Sequence, residues 1–193
     1  MTDAARRRIV VGLSGASAPH VGLRVLEALR FRGNVEIHLI VTKGAVRTLQ
    51  LEAPGWTLAQ VRALADVVHD DADLAAPPSS GSFLHDGMAI VPASIRTCSA
   101  LAAGITGSLL TRAADVTLKE RRPLVLAPRE SPLHLGHLRT LTALAELGAA
   151  IVPPMLAMYH APTTVQDLID HAAGKVLDLL KVEHDLFRRW SGG

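Results

Sequence analysis

The chain has 193 residues, 49% of them apolar and 20% charged, with a net charge of +2. That length suits one domain with a full core and a ligand cleft, and that composition excludes a disordered chain. Only 3% of the residues are aromatic, which excludes a base-stacking platform for single-stranded nucleic acid, and so small a charge gives no case for DNA binding. In chain order, Arg6 to Arg8 followed by Ile9-Val10-Val11-Gly12-Leu13 imitates a secretory leader, but the apolar stretch is too short for one. Residues 1–8 read instead as a solvated basic lead-in to a buried strand, Ile9 to Leu13. No run reaches the ~18 apolar residues of a membrane span.

Apolar runs then alternate with helical patterns. A helix is predicted from about Val21 to Arg32, strand two from Val35 to Val41, and helices over Gly44 to Leu51 and Thr57 to Ala65. A polar stretch, Pro77 to Ser82, interrupts the pattern. Strand Met88 to Val91 and helix Ile95 to Ala103 follow, then helix Leu109 to Glu120, strand Pro123 to Ala127, helix His134 to Leu147 and strand Ala149 to Val152. The last helix opens at Thr164 with Asp167 three residues on, a short-armed capping box. Strands alternating with helices predict an α/β fold: a Rossmann-like (flavodoxin-like) three-layer sandwich with a mostly parallel sheet. One domain is expected over residues 1–193, with a C-terminal tail from residue 181.

Polar residues gather where strands end: Ser14-Gly15-Ala16-Ser17, Thr42-Lys43, Pro92-Ala93-Ser94 with Thr97, and Pro128-Arg129-Glu130. In an open parallel sheet these ends share one edge, where ligands bind. Small hydroxyl residues and helix-start N–H groups suit a phosphate there, although the same residues also serve as ordinary turn formers. A dinucleotide fingerprint fails at Ser14 and Ser17, and strand two ends without an acidic residue for a ribose. Neither a P-loop nor a G-x-S-x-G elbow is present. A mononucleotide such as FMN remains open.

Arg112 and Lys119 are seven residues apart and share one face of a largely apolar helix, where they could hold a second phosphate. Arg121 and Arg122 read as a solvated surface. His69-Asp70-Asp71-Ala72-Asp73 reads as a solvated turn, and His134 with His137 lacks a third ligand, so no metal site is expected. Cys98, the single cysteine, reads as a packed helix residue; it excludes internal disulfides and fits a reducing, cytoplasmic setting.

Three short motifs and one long block carry a resemblance. The motifs are Ser14-Gly15-Ala16-Ser17, Ser79-Ser80-Gly81-Ser82 and Ser94-x-x-Thr97. The block runs Leu110-Thr111-Arg112-Ala113-Ala114-Asp115-Val116, then Leu118 to Leu126, then Pro128-Arg129-Glu130-Ser131-Pro132-Leu133-His134, with Tyr159-His160 further on. Over nearly its whole length the chain resembles the flavin prenyltransferases, the UbiX-like enzymes. The resemblance implies transfer of a dimethylallyl group from dimethylallyl monophosphate to N5 and C6 of reduced FMN, without metal. It implies prenylated FMN as the product, used by UbiD-type decarboxylases, and a homo-oligomer, a dodecamer with sites at subunit contacts.

By the same resemblance Gly15, Ala16, Ser17, Thr42, Ser94, Ile95, Arg96, Thr97 and Arg129 are FMN contacts. Arg112, Lys119, Glu130, Tyr159 and Lys175 surround the prenyl phosphate, and Glu52 reaches a neighbouring subunit's site. Glu130, Ser17, Arg112 and Lys119 are the catalytic residues. One departure stands out: the family usually has Gly-Ala after the residue matching Ser17, and this chain has Ala18-Pro19-His20. Two other functions compete with prenyl transfer. One is an FMN-dependent decarboxylase of the cysteine-peptide type, only partly echoed by Pro92-Ala93-Ser94-Ile95-Arg96-Thr97. The other is a non-catalytic carrier of FMN or its prenylated form.

Overall fold

Four strands are near-continuous apolar runs because the sheet is covered on both faces: β1 (Arg7–Leu13), β2 (Val35–Val41), β4 (Gly87–Ala93) and β5 (Leu124–Pro128). Shorter strands β3 (Val67–His69) and β6 (Ala150–Ile151) close the two edges. The computed structural model describes residues 6–190 and 192, so residues 1–5 of the expected lead-in lie outside the described residues. The strand order is β3-β2-β1-β4-β5-β6, and every pairing is parallel. Setting aside the three-residue edge strand β3, the order is that of a flavodoxin-like sheet.

The helices are α1 (Pro19–Arg32), α2 (Lys43–Glu52), α3 (Leu58–Ala63), α4 (Ile95–Ala102), α5 (Leu109–Lys119), α6 (Leu135–Glu146) and α7 (Val165–Leu179). Alternate residues of each central strand feed opposite cores. Ile9, Val11 and Leu13 pack with Val25, Leu26 and Leu29 of α1 and with Val176 and Leu177 of α7. Val10, Met88 and Ile90 pack on the other face with Cys98 and Leu101 of α4 and with Leu110 and Ala113 of α5. A side chain on Gly22 would put its Cβ 2.1 Å from the Val91 carbonyl oxygen, so only hydrogen there lets α1 lie against β4.

Several expectations change. β1 starts two residues early, because its basic residues have partners rather than solvent. Arg8 pairs with Glu36 at 3.1 Å and Arg7 donates to the Leu180 and Lys181 carbonyls. β3 was not expected; it is short and half-exposed, so it carries no periodicity. In the acidic turn, Asp71 takes the Leu109 and Leu110 N–H groups and so caps α5. The Pro77–Ser79 segment is one 3-10 turn, and Arg122 is a clamp, donating to the Gly81 and Phe83 carbonyls at 2.8 Å. The tail packs as well: a Cβ on Gly174 would come within 2.4 Å of Phe187.

β2 carries a buried imidazole, His38, whose ring nitrogens meet His69 Nε2 at 2.8 Å and Glu36 Oε1 at 2.7 Å. Burial, then the neighbouring His38, lowers the His69 imidazole below its ordinary value; burial likewise lowers His85. The unfolded rings therefore bind protons first as pH falls. Their contribution is complete above the ordinary imidazole value of ~6.5 and is lost below it, toward the lowered folded values. The melting temperature should accordingly fall between about pH 7.5 and about pH 5.5, and the fall should be smaller in His69→Asn. Equal thermal melts of the native chain at both pH values would contradict this.

Candidate active site

From β1 the chain steps outward to β2 and β3, then returns to β4 on the other side of β1. The crevice at such a reversal lies outside the carboxyl ends of the strands. Ser14 ties its two walls together: its hydroxyl donates to the Pro92 carbonyl at 2.9 Å and accepts the Ser94 N–H at 2.7 Å. Gly15 meets the start of α2 backbone to backbone, for a Cβ there would stand 2.9 Å from Gly44. The sequence marks Gly15 and the serines as candidates for a phosphate at the strand ends, with turn formation as the competing reading; the Ser14 bridge spans residues 78 and 80 apart, which no local pattern encodes.

Glu52, at the end of α2, accepts the Ser17 hydroxyl and the Ala18 N–H, both at 2.8 Å. Within this chain Glu52 therefore shapes its own β1 loop. Ala18 sits at φ 63, ψ 51, the left-handed region that disfavours any residue with a Cβ. The glycine expected from the resemblance would occupy it without strain. Pro19 opens α1 and His20 is exposed.

Thr42 caps α2 by accepting the Ala45 N–H at 3.1 Å, and Ser94 caps α4 by accepting the Thr97 N–H at 3.2 Å. Both helices thus present their amino ends to the rim, with Ile95 half-buried, Thr97 buried and Arg96 exposed. Arg129 and Glu130 leave β5 at the same edge and are exposed; the Glu130 carboxylate accepts the Ser131 N–H. Among the described residues no ion pair engages Arg96 or Arg129. Ala16 is buried and Gly15 exposed, leaving the rim open over small residues.

The remaining site residues fall into two separate groups. Arg112 donates to the Ser79 carbonyl at 3.2 Å and pairs with Asp115 at 3.0 Å. Lys119 pairs with Glu120, which holds that carboxylate below its ordinary value, and both lie against Gly81. The Ser79–Ser82 loop and α5 thus form one cationic surface. Tyr159 instead bonds His171 of α7 at 2.6 Å, and Lys175 lies 3.7 Å from Asp178. Helix α5 covers the Val10 and Ile90 face of the sheet and α7 the opposite one. One chain alone therefore does not gather Arg112 and Lys119 with Tyr159 and Lys175, because the sheet stands between them.

Cys98 is fully buried, and burial pushes its thiol up to about 11, so it is a packed residue as expected. His134 caps α6, its Nδ1 accepting the Gly136 N–H at 3.0 Å. Among the described residues, no group of three or more His, Cys, Asp or Glu side chains could hold a metal.

A parallel sheet with a tied, hydroxyl-rich rim and unpaired arginines defines a mononucleotide-type flavoprotein domain. The profile of the Flavoprotein family matches residues 1–181. The flavin prenyltransferase UbiX of Salmonella typhimurium is 52% identical over 188 residues, covering 96% of this chain and 99% of that protein. The crystal structure of AnUbiX (PadA1) in complex with FMN and dimethylallyl pyrophosphate superposes with a TM-score of 0.94 at 47% identity, covering 97% of this chain and 99% of the other. A dodecameric FMN-dependent UbiX-like decarboxylase from Escherichia coli O157:H7 gives a TM-score of 0.93 at 47% identity, covering 96% of this chain and 100% of the other. The chain belongs to the Flavoprotein family and, within it, to the UbiX-type flavin prenyltransferases.

Two substitutions test this rim. Ala18→Gly relieves the left-handed strain and should stabilise the protein by about 1 kcal/mol, raising Tm by about 2–4 °C in a thermal melt. Gly15→Ala drives a Cβ into α2 and should lower Tm while weakening FMN binding about tenfold or more by fluorescence titration. FMN affinity unchanged in Gly15→Ala would show that the loop contact does not shape the cleft.

Proposed function

We propose that this chain is a flavin prenyltransferase that joins the dimethylallyl group of dimethylallyl monophosphate to N5 and C6 of reduced FMN. Its product, prenylated FMN, serves a UbiD-type decarboxylase. The observation that carries the reading is the Ser14-tied rim, flanked by the capped starts of α2 and α4. Its small residues leave room for a flat ring system. Its helix N–H groups and the unpaired Arg96 and Arg129 match a monoester phosphate. FMN is thus held by Gly15, Ala16, Ser17, Thr42, Ser94, Ile95, Arg96, Thr97 and Arg129. We take residues 1–193 as one FMN-binding domain.

Reduced FMN, when bound, supplies the nucleophilic ring positions. The protein aligns the allylic carbon with them and stabilises charge on the departing phosphate through Arg112, Lys119 and Lys175, with Tyr159 beside them. Ser17 already donates to Glu52, so this pair, with Glu130, offers a path for the protons lost on alkylation. Because the sheet separates α5 from α7 in one chain, the phosphate pocket is composite and takes its two halves from different copies. Exposed Leu133, Leu135 and Leu138 near the start of α6, with Met155, Leu156 and Met158, supply apolar surface for a homo-oligomer. Three cations neutralise the phosphate, so the transfer needs no metal. A reducing cytoplasm suits a reduced flavin substrate; among the described residues no helix is long and apolar enough to cross a membrane.

Anaerobic incubation with reduced FMN and dimethylallyl monophosphate should yield a flavin heavier by one C5 unit by mass spectrometry, in EDTA as well as without it. Bound FMN with no mass change would favour the carrier reading. Glu130→Gln should slow turnover about tenfold to a hundredfold while FMN stays bound. Arg112→Ala and Lys175→Ala chains, each inactive alone, should regain activity when refolded together, and no recovery would place both residues of a site on one copy.

A further inference from the structure

Tyr159 and His171 make the shortest contact between aromatic side chains outside the rim, 2.6 Å from the phenol oxygen to Nε2. Tyr159 is half-exposed, whereas His171 is only 8% exposed. The His171 ring is stacked on His160 at 4.9 Å and 10° and meets Phe187 at 4.7 Å, so its plane is held by packing. The C-terminal segment closes over this part of α7, as the tight fit of Gly174 against Phe187 and His184 shows. The approach from Tyr159 to α7 is pinned as well, because Asp167 accepts the N–H groups of Thr163 and Thr164 at 2.7 and 2.8 Å. Burial, then the neighbouring His160 and Lys175, lowers the His171 imidazole against the opposing pull of Asp178. The ring is therefore uncharged near neutral pH and offers one N–H.

A phosphate monoester dianion offers acceptor oxygens only, so a phenol helps it only by donating its single proton. If Nε2 is bare, that proton points at His171 and the phosphate gains nothing. If Nε2 carries hydrogen, the imidazole donates to the phenol oxygen and the phenol proton is free to face outward. We propose that His171 is a positioning residue that donates from Nε2 to Tyr159, so that the tyrosine hydroxyl is aimed and polarised toward the prenyl phosphate. This rests on the reading that Tyr159 faces that phosphate. The phosphate then selects the Nε2–H tautomer.

The test compares His171→Phe, His171→Gln, Tyr159→Phe and the His171→Phe/Tyr159→Phe double variant in the FMN-loaded oligomer. In His171→Phe, kcat/KM for dimethylallyl monophosphate should fall about tenfold and inhibition by inorganic phosphate should weaken by a similar factor. FMN affinity should be unchanged. His171→Gln keeps an N–H donor and should recover most of the loss. His171→Phe should add nothing in the Tyr159→Phe background. If Tyr159→Phe weakens both readouts and His171→Phe leaves them intact, the positioning role is overturned. If Gln is no better than Phe, or the two losses simply add, it is overturned too. If Tyr159→Phe itself changes neither readout, the phosphate reading of Tyr159 fails instead. Should His171→Phe lose FMN or fail to assemble, His171→Met, which also lacks an N–H, takes its place, and equal phosphate inhibition in the Met and Gln variants overturns the role.

Discussion

Parallel pairing of β1 with β4 is the constraint on which the rest of the structure depends. It places two strands side by side whose onward chains leave in opposite directions, and so opens a crevice at their carboxyl ends. The crevice keeps its shape because Ser14 holds Pro92 and Ser94 from the facing wall. Two close approaches bring helices up to that crevice: Gly22 of α1 against the Val91 carbonyl and Gly15 against Gly44 of α2. Neither contact has room for a methyl group, so α1 and α2 sit as near the sheet as backbone allows.

The rim is dense in helix caps. Thr42 and Ser94 each spend a side-chain oxygen on the first turn of the helix they open. The remaining N–H groups of those turns, left without intrahelical partners, face the cleft. Asp71 does the same for α5 from the turn after β3. Acidic and hydroxyl residues that look functional in the sequence are therefore partly structural. What remains to act on an anion includes rim cations that no ion pair engages among the described residues, such as Arg96 and Arg129, together with cations in weak surface pairs such as Lys175.

A covered sheet also separates functions. Each face buries its own helices, so the α5 cations and the Tyr159–His171–Lys175 group cannot meet across one subunit. The proposed pocket, which needs both, would have to be closed by another copy, and catalysis would then depend on assembly. The exposed apolar residues around α6 fit the same requirement, since a helix burying only Leu144 within its own chain is incomplete alone.

The sequence by itself determined the α/β class, the central strands and the rim residues. β2 was legible to the residue, because apolar Val35, Ile37, Leu39, Ile40 and Val41, bounded by Gly33-Asn34 and Thr42, read as a strand with two polar interruptions, Glu36 and His38. The Thr164–Asp167 box at the start of α7 was legible for the same reason: capping is local. β3 was not, since three residues carry no period, nor were the partners of Arg7, Arg8 and Arg122, whose acceptors lie far along the chain. Tertiary structure alone decided that Glu52 turns back on Ser17, that α5 and α7 lie on opposite faces, and that His171 reaches Tyr159. Periodicity reports which side of an element is apolar; which elements then share a face is settled only by packing the layers together.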